Sequence, residues 1–125
     1  MTASPTILLA EPDEALSASL RFTLELQGYR VETVAYEQLL DKTRSLPASA
    51  CIIIGEHPRS SDGLQLGARL SAWYGHLPVV VLATNPTRAT KQWAHMRGII
   101  LIEKPLLGEA LSNVLHTIFE TNNAA

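Results

Sequence analysis

The chain has 125 residues, the size of one domain able to bury a core without disulfide or metal staples. Apolar residues make up 46% and charged residues 18%, which excludes a disordered segment, a collagen-like repeat and a charge-rich coiled coil. The formal net charge of −2 lacks the basic excess that attraction to a phosphate backbone requires, so no direct nucleic-acid binding by this domain is expected.

The single cysteine, Cys51, has no intramolecular partner, and a reducing compartment is the simplest setting for it. No apolar run approaches the roughly 20 residues of a membrane span. The opening Met1-Thr2-Ala3-Ser4-Pro5 lacks the basic and apolar regions of a secretory signal. The expectation is a cytoplasmic protein without membrane contact. No repeat or internal linker divides the chain, so residues 1–125 are read as one domain with its core over about 6–120. Residues 1–5 and Thr121-Asn122-Asn123-Ala124-Ala125 are read as loose ends.

Thr6-Ile7-Leu8-Leu9-Ala10 is a continuous apolar run, the pattern of a strand buried on both faces. Asp13 follows as a helix cap with Glu14 in the first turn, and Leu16, Leu20 and Leu24 then share one helical face up to Gly28. Tyr29-Arg30-Val31-Glu32-Thr33-Val34 alternates, as an edge strand does. A weaker helix is expected over about 36–46, stopped by Pro47. Ala50-Cys51-Ile52-Ile53-Ile54 is a second buried run, and a polar loop from Glu56 to Asp62 leads to a helix over about 63–74. Val79-Val80-Val81-Leu82-Ala83, after Pro78, is the next buried strand. Pro86 marks the start of a helix that runs to about Arg97 and stops at Gly98. Ile99-Ile100-Leu101-Ile102 is the last strand. Leu107, Leu111, Val114, Leu115, Ile118 and Phe119 form the stripe of a final helix.

Five strands alternating with five helices predict an α/β fold with parallel pairing, because a helix supplies each return crossover. Right-handed crossovers favour a doubly wound, flavodoxin-like sheet of order 2-1-3-4-5. Its chemistry gathers beyond the carboxyl ends of the strands, beside the switch between the first and third. Delivered there are Glu11, Pro12 and Asp13, then Gly55 and Glu56, then Ala83 and Thr84, then Lys104.

These segments resemble a known family. Ile7-Leu8-Leu9-Ala10-Glu11-Pro12-Asp13-Glu14 resembles the first strand and acid cluster of bacterial response-regulator receiver domains, the CheY-like superfamily. Cys51-Ile52-Ile53-Ile54 with Ser61-Asp62-Gly63-Leu64 resembles their third strand and the start of the third helix. Leu77-Pro78-Val79-Val80-Val81-Leu82 resembles their fourth strand, and Glu103-Lys104-Pro105-Leu106 their Lys-Pro signature. The resemblance spans about residues 6–120. It implies aspartyl phosphorylation: two acids after the first strand hold Mg²⁺ with an acceptor Asp ending the third. A Thr or Ser and the Lys then bind the phosphoryl oxygens.

The chain departs from that set. Eight residues before Gly63 stands Gly55, which has no side chain to phosphorylate. Pro12 replaces the second acid; Ala83 stands at the Thr/Ser position, with Thr84 one step late; Leu101 stands at the aromatic switch position. Only Glu11 and Lys104 match in type. Glu56 is one residue past Gly55, and the strand pleat points its carboxylate to the other face. No resident metal or cofactor is expected from so sparse a set of ligands. Lys104 needs a partner, with Glu11 first and Glu56 second; a fixed internal pair and a solvated pair both fit the sequence.

His57, His76, His95 and His116 are scattered without ligand spacing and read as surface residues. Cys51 reads as a core residue, and Trp73 and Tyr74 as packing. The absence of a glycine-rich phosphate loop after the first strand argues against a nucleotide-binding enzyme. Receivers associate through the face made by helix 4, strand 5 and helix 5. Here that face offers Trp93, Met96, Ile100 and Leu101, flanked by Arg88, Lys91 and Arg97. Either these form a contact patch or Trp93 turns inward to the core. The reading is a non-enzymatic pseudo-receiver acting through a homodimer or a protein partner, in transcriptional or another two-component output. The alternatives are a receiver phosphorylated on Glu56 or Asp13, and a flavodoxin-like small-ligand binder.

Overall fold

The apolar runs become the strands of a parallel sheet because each is buried on both faces and needs a helix on either side. In the computed structural model, residues 5–41, 50–57, 62–106 and 109–123 are described, with side chains to 120. The elements are β1 (Thr6–Ala10), α1 (Glu14–Leu26), β2 (Arg30–Thr33), α2 (Tyr36–Leu39), β3 (Ala50–Gly55), α3 (Asp62–Trp73), β4 (Val79–Thr84), α4 (Arg88–Met96), β5 (Ile99–Lys104) and α5 (Ala110–Asn123). All pairings are parallel and the order is β2-β1-β3-β4-β5, the doubly wound order expected.

Strand alternation divides the core in two. Ile7, Leu9, Cys51, Ile53, Val80, Leu82 and Ile102 pack on α1 and α5 through Leu20, Leu24, Leu115 and Phe119. Leu8, Ala10, Ile52, Ile54, Val79, Val81 and Ile99 pack on the other face with Leu39, Leu64, Leu70 and Ala94. On that side α3 comes very close to the sheet: a Cβ at Gly67 would lie 3.0 Å from Val81 Cγ2. Glycine there is what lets the helix backbone approach.

Asp13 caps α1 as its spacing implies, its Oδ1 accepting from the Leu16 N–H at 3.1 Å. Elsewhere the ends of elements shift. Pro86 precedes the cap of α4; Thr87 is the cap, its hydroxyl accepting from the Thr90 N–H at 3.1 Å. α3 begins and ends one residue earlier than the hydrophobic pattern implies. β5 runs on to Lys104, because Ala83 and Thr84 of β4 continue the ladder opposite Glu103 and Lys104. Thr121, Asn122 and Asn123, read from composition as loose, continue α5: no glycine or proline stands there to end the helix. The helix expected over about 36–46 is shorter: α2 ends at Leu39 with Leu40 as its C-cap, and only residues 42–46 of that stretch, with Ser61 of the loop before α3, Leu107 of the last stripe and the extreme ends, lie outside the described residues.

Candidate functional site

Three strand ends converge beside the switch between β1 and β3. Leu9, Ile53 and Ile102 face the α1/α5 side, so by the period of two Glu11, Gly55 and Lys104 belong to that side as well. The three residues meet. Lys104 Nζ lies 2.7 Å from Glu11 Oε1, with the side chains 13% and 1% exposed. The pair expected from sequence therefore forms, in its buried version. Glu11 Oε2 accepts from the Asp13 N–H at 2.9 Å. Lys104 also donates to the Glu56 carbonyl at 3.2 Å. The approach of Lys104 to Oε1 is not well directed, and among the described residues Oε1 has no other hydrogen-bond partner. The contact is chiefly electrostatic.

Gly55 explains how Glu11 fits. A Cβ built at residue 55 would have the Glu11 carboxylate atoms Oε1, Cδ and Oε2 all within 2.9 Å. The carboxylate therefore occupies the space of any side chain at that position. The Gly55 carbonyl is in turn capped by the Tyr36 hydroxyl in a short hydrogen bond. Burial, with Glu11, Glu56 and Asp62 nearby, pushes the Tyr36 hydroxyl up to about 12, so it remains a donor at neutral pH. Nothing in the spacing of the sequence marks Tyr36 for this place; it is the first residue of α2, whose position beside β3 only the fold fixes.

The Glu56 carboxylate accepts from the Leu64 N–H, in the first turn of α3, at 3.1 Å. Burial raises its pKa, against the lowering effects of that hydrogen bond and of Lys104. Asp13 and Glu56, the two substitute acceptors weighed from sequence, are thus both engaged at helix starts. Pro12 is exposed and Ala83 buried; Thr84 is exposed opposite Lys104 in register. A cleft of about 510 Å³ opens beside the pair, lined by Glu11, Glu14, Tyr36, Glu37, His57 and Asp62.

A divalent ion does not fit this set. Gly55 and Pro12 supply no oxygen ligand from a side chain, and the Glu11 carboxylate is already held by an ammonium. Among the described residues no group of three or more His, Cys, Asp or Glu is placed to hold a metal. Burial pushes the Cys51 thiol up to about 12, which leaves it an inert core group at neutral pH.

The residues of the expected contact patch are dispersed. Trp93 is half-buried against the Leu8–Val81 side of the core, and Arg97 stacks over its ring at 3.9 Å. Leu101 packs on that same side, whereas Ile100 packs on the α1/α5 side, as neighbours in a strand must. Met96 is 81% exposed, beside Arg88, Lys91, Gln92 and His95.

Comparisons with known proteins agree with this fold. The family of the "Flagellar regulatory protein FleQ" matches residues 6–118. The chain is similar in structure to the receiver domain of an HD-domain-containing protein from Pseudomonas fluorescens Pf-5, at TM-score 0.79 and 24% identity, over 99% of this chain and 93% of that one. It is similar to the chemotaxis protein CheY4 of Vibrio cholerae at TM-score 0.76 and 21% identity, over 93% and 99% of the two chains. The receiver domain of a putative LuxO repressor from Vibrio parahaemolyticus gives TM-score 0.80 at 16% identity, over 98% and 95%. A comparison with curated proteins finds no match. Among the described residues no helix is long and apolar enough to cross a membrane. With nearly all of its folded length inside the family match, the chain belongs to the family of the flagellar regulatory protein FleQ, and its fold is that of the receiver domains it resembles.

Proposed function

We propose that this domain is a pseudo-receiver: a cytoplasmic signalling module that does not answer to phosphate and works through protein contacts, in the control of transcription or another two-component output. The observation that carries the reading is the Glu11 carboxylate lying where a side chain at position 55 would stand, already paired with Lys104. A phosphoryl group would need an acceptor, a cation and a mobile lysine. Gly55 has no acceptor atom, the acids left by the departures at 12 and 55 do not make a cation site, and the lysine is taken. The family's description as a flagellar regulatory protein fits a regulatory output.

The face of α4, β5 and α5 is the proposed contact surface, for a second copy or another protein. Arg88 and Lys91 are exposed on α4 with no ion pair among the described residues, and Met96 stands beside them. Glu103 and Glu109, at β5 and the start of α5, are exposed acids. A face with cations on one side and acids on the other suits pairing with its own copy.

The test is incubation with acetyl phosphate and Mg²⁺, followed by intact-mass measurement and sizing. No phosphoryl adduct and an unchanged association state are expected. A stable adduct, on Glu56, Asp13 or elsewhere, would overturn the reading.

A further inference from the structure

We infer that Glu11 is a resident ligand of Lys104: its carboxylate enters from the end of β1, fills the space beside Gly55, and closes the lysine to external oxyanions. The inference rests on the phosphate-blind reading and names the residue that enforces it.

Three independent contacts fix the arrangement. Lys104 holds Oε1 at 2.7 Å, the Asp13 N–H holds Oε2 at 2.9 Å, and the bare Gly55 backbone leaves room for the whole group. Lys104 is largely enclosed too, and among the described residues its other polar contact is one neutral carbonyl, that of Glu56. A buried ammonium without a counter-charge is strongly disfavoured, so something anionic has to stand at this spot. Glu11 supplies that charge from within the chain. The carboxylate is the far end of a flexible side chain, and Oε1 lacks a well-directed hydrogen bond. A small carboxylate of the same chemistry would therefore take its place if the side chain were shortened.

The experiment measures acylation of Lys104 by an amine-reactive ester, with exposed Lys91 as internal reference, by peptide mass spectrometry. Wild type is compared with Glu11→Gln, which keeps the shape and removes the charge, and Glu11→Ala, which removes both. Lys104 is expected to be protected in wild type and to react about tenfold faster or more in both variants, the factor that follows from losing a modest part of one charge contact. Acetate at tens of millimolar should restore protection in Glu11→Ala and raise its unfolding midpoint. Chloride at the same ionic strength should do neither.

Unchanged Lys104 reactivity in both variants would overturn the inference, as would an acetate effect equally large in wild type. Should Glu11→Ala fail to fold, Glu11→Gln still decides the reactivity question. The two proposals fail separately. A phosphoryl adduct on wild type removes the phosphate-blind reading; indifferent Lys104 reactivity without any adduct removes only the resident ligand.

Discussion

Lys104 and Glu11 meet at 2.7 Å with side chains 13% and 1% exposed, whereas Arg21 and Glu25 on α1 meet at 3.4 Å with side chains 50% and 47% exposed. His116 and Glu120 on α5, an ion pair only while the imidazole is protonated, are more open still, at 76% and 70%. The chemistry is similar and the surroundings opposite. In water the exposed ions are already solvated, and pairing them gains little. At the strand ends the two charges have left water together, so each depends on the other. A charge that the fold has desolvated specifies which residue must stand beside it; a charge on a helix surface specifies almost nothing.

The largest effect should come from breaking the buried pair on one side. Lys104→Met leaves the Glu11 carboxylate enclosed with a single N–H donor, and should destabilise the domain by about 3–5 kcal/mol in urea denaturation at neutral pH. Replacing both partners by apolar residues, in Glu11→Met/Lys104→Met, should recover most of that loss. If the single and double variants are equally unstable, packing rather than charge holds this corner.

A smaller effect is expected at Glu56, where burial is opposed by neighbouring partners. Its folded pKa is raised, so the folded state holds this proton more tightly than the unfolded chain does. The contribution of Glu56 to stability is therefore fully present in acid and declines as pH rises from the ordinary carboxylate value through the raised one. Glu56→Gln, which keeps an acceptor for the Leu64 N–H, should gain on wild type as pH goes from about 4 to about 7. Parallel stability–pH curves for the two proteins would contradict the assigned burial of this carboxylate.

The smallest effect belongs to the surface. Arg21→Ala should change stability by less than about 0.5 kcal/mol, and salt should erase what difference there is. A loss comparable to that of Lys104→Met would end the contrast between the two kinds of pair.

Much of the architecture was legible because the apolar runs at Thr6–Ala10, Ala50–Gly55 and Val79–Thr84 have no polar face, and only a strand between two helix layers satisfies them. Asp13 was legible as a cap because capping is a local event, decided within one turn. The ends of β5 and α5 were not, because the ladder with β4 and continued helical hydrogen bonding carried them past the apolar pattern. The proposed contact residues illustrate a different limit. The strand pleat already separates Ile100 from Leu101, but the half-burial of Trp93 under the Arg97 guanidinium depends on how α4 lies on the sheet.

At the candidate site the sequence by itself determined what is missing: no carboxylate at Gly55, no ligand at Pro12, no hydroxyl at Ala83. It also left one acid and one lysine, Glu11 and Lys104, at matching strand ends. Only the tertiary structure decided that the acid moves into the space beside the glycine and that the lysine follows it out of water. Residues 11, 55 and 104 are far apart in the chain, and their contact depends on three strands being in register and on the volume one hydrogen atom leaves open. Local pattern records neither quantity, because both arise when separate segments compete for the same space.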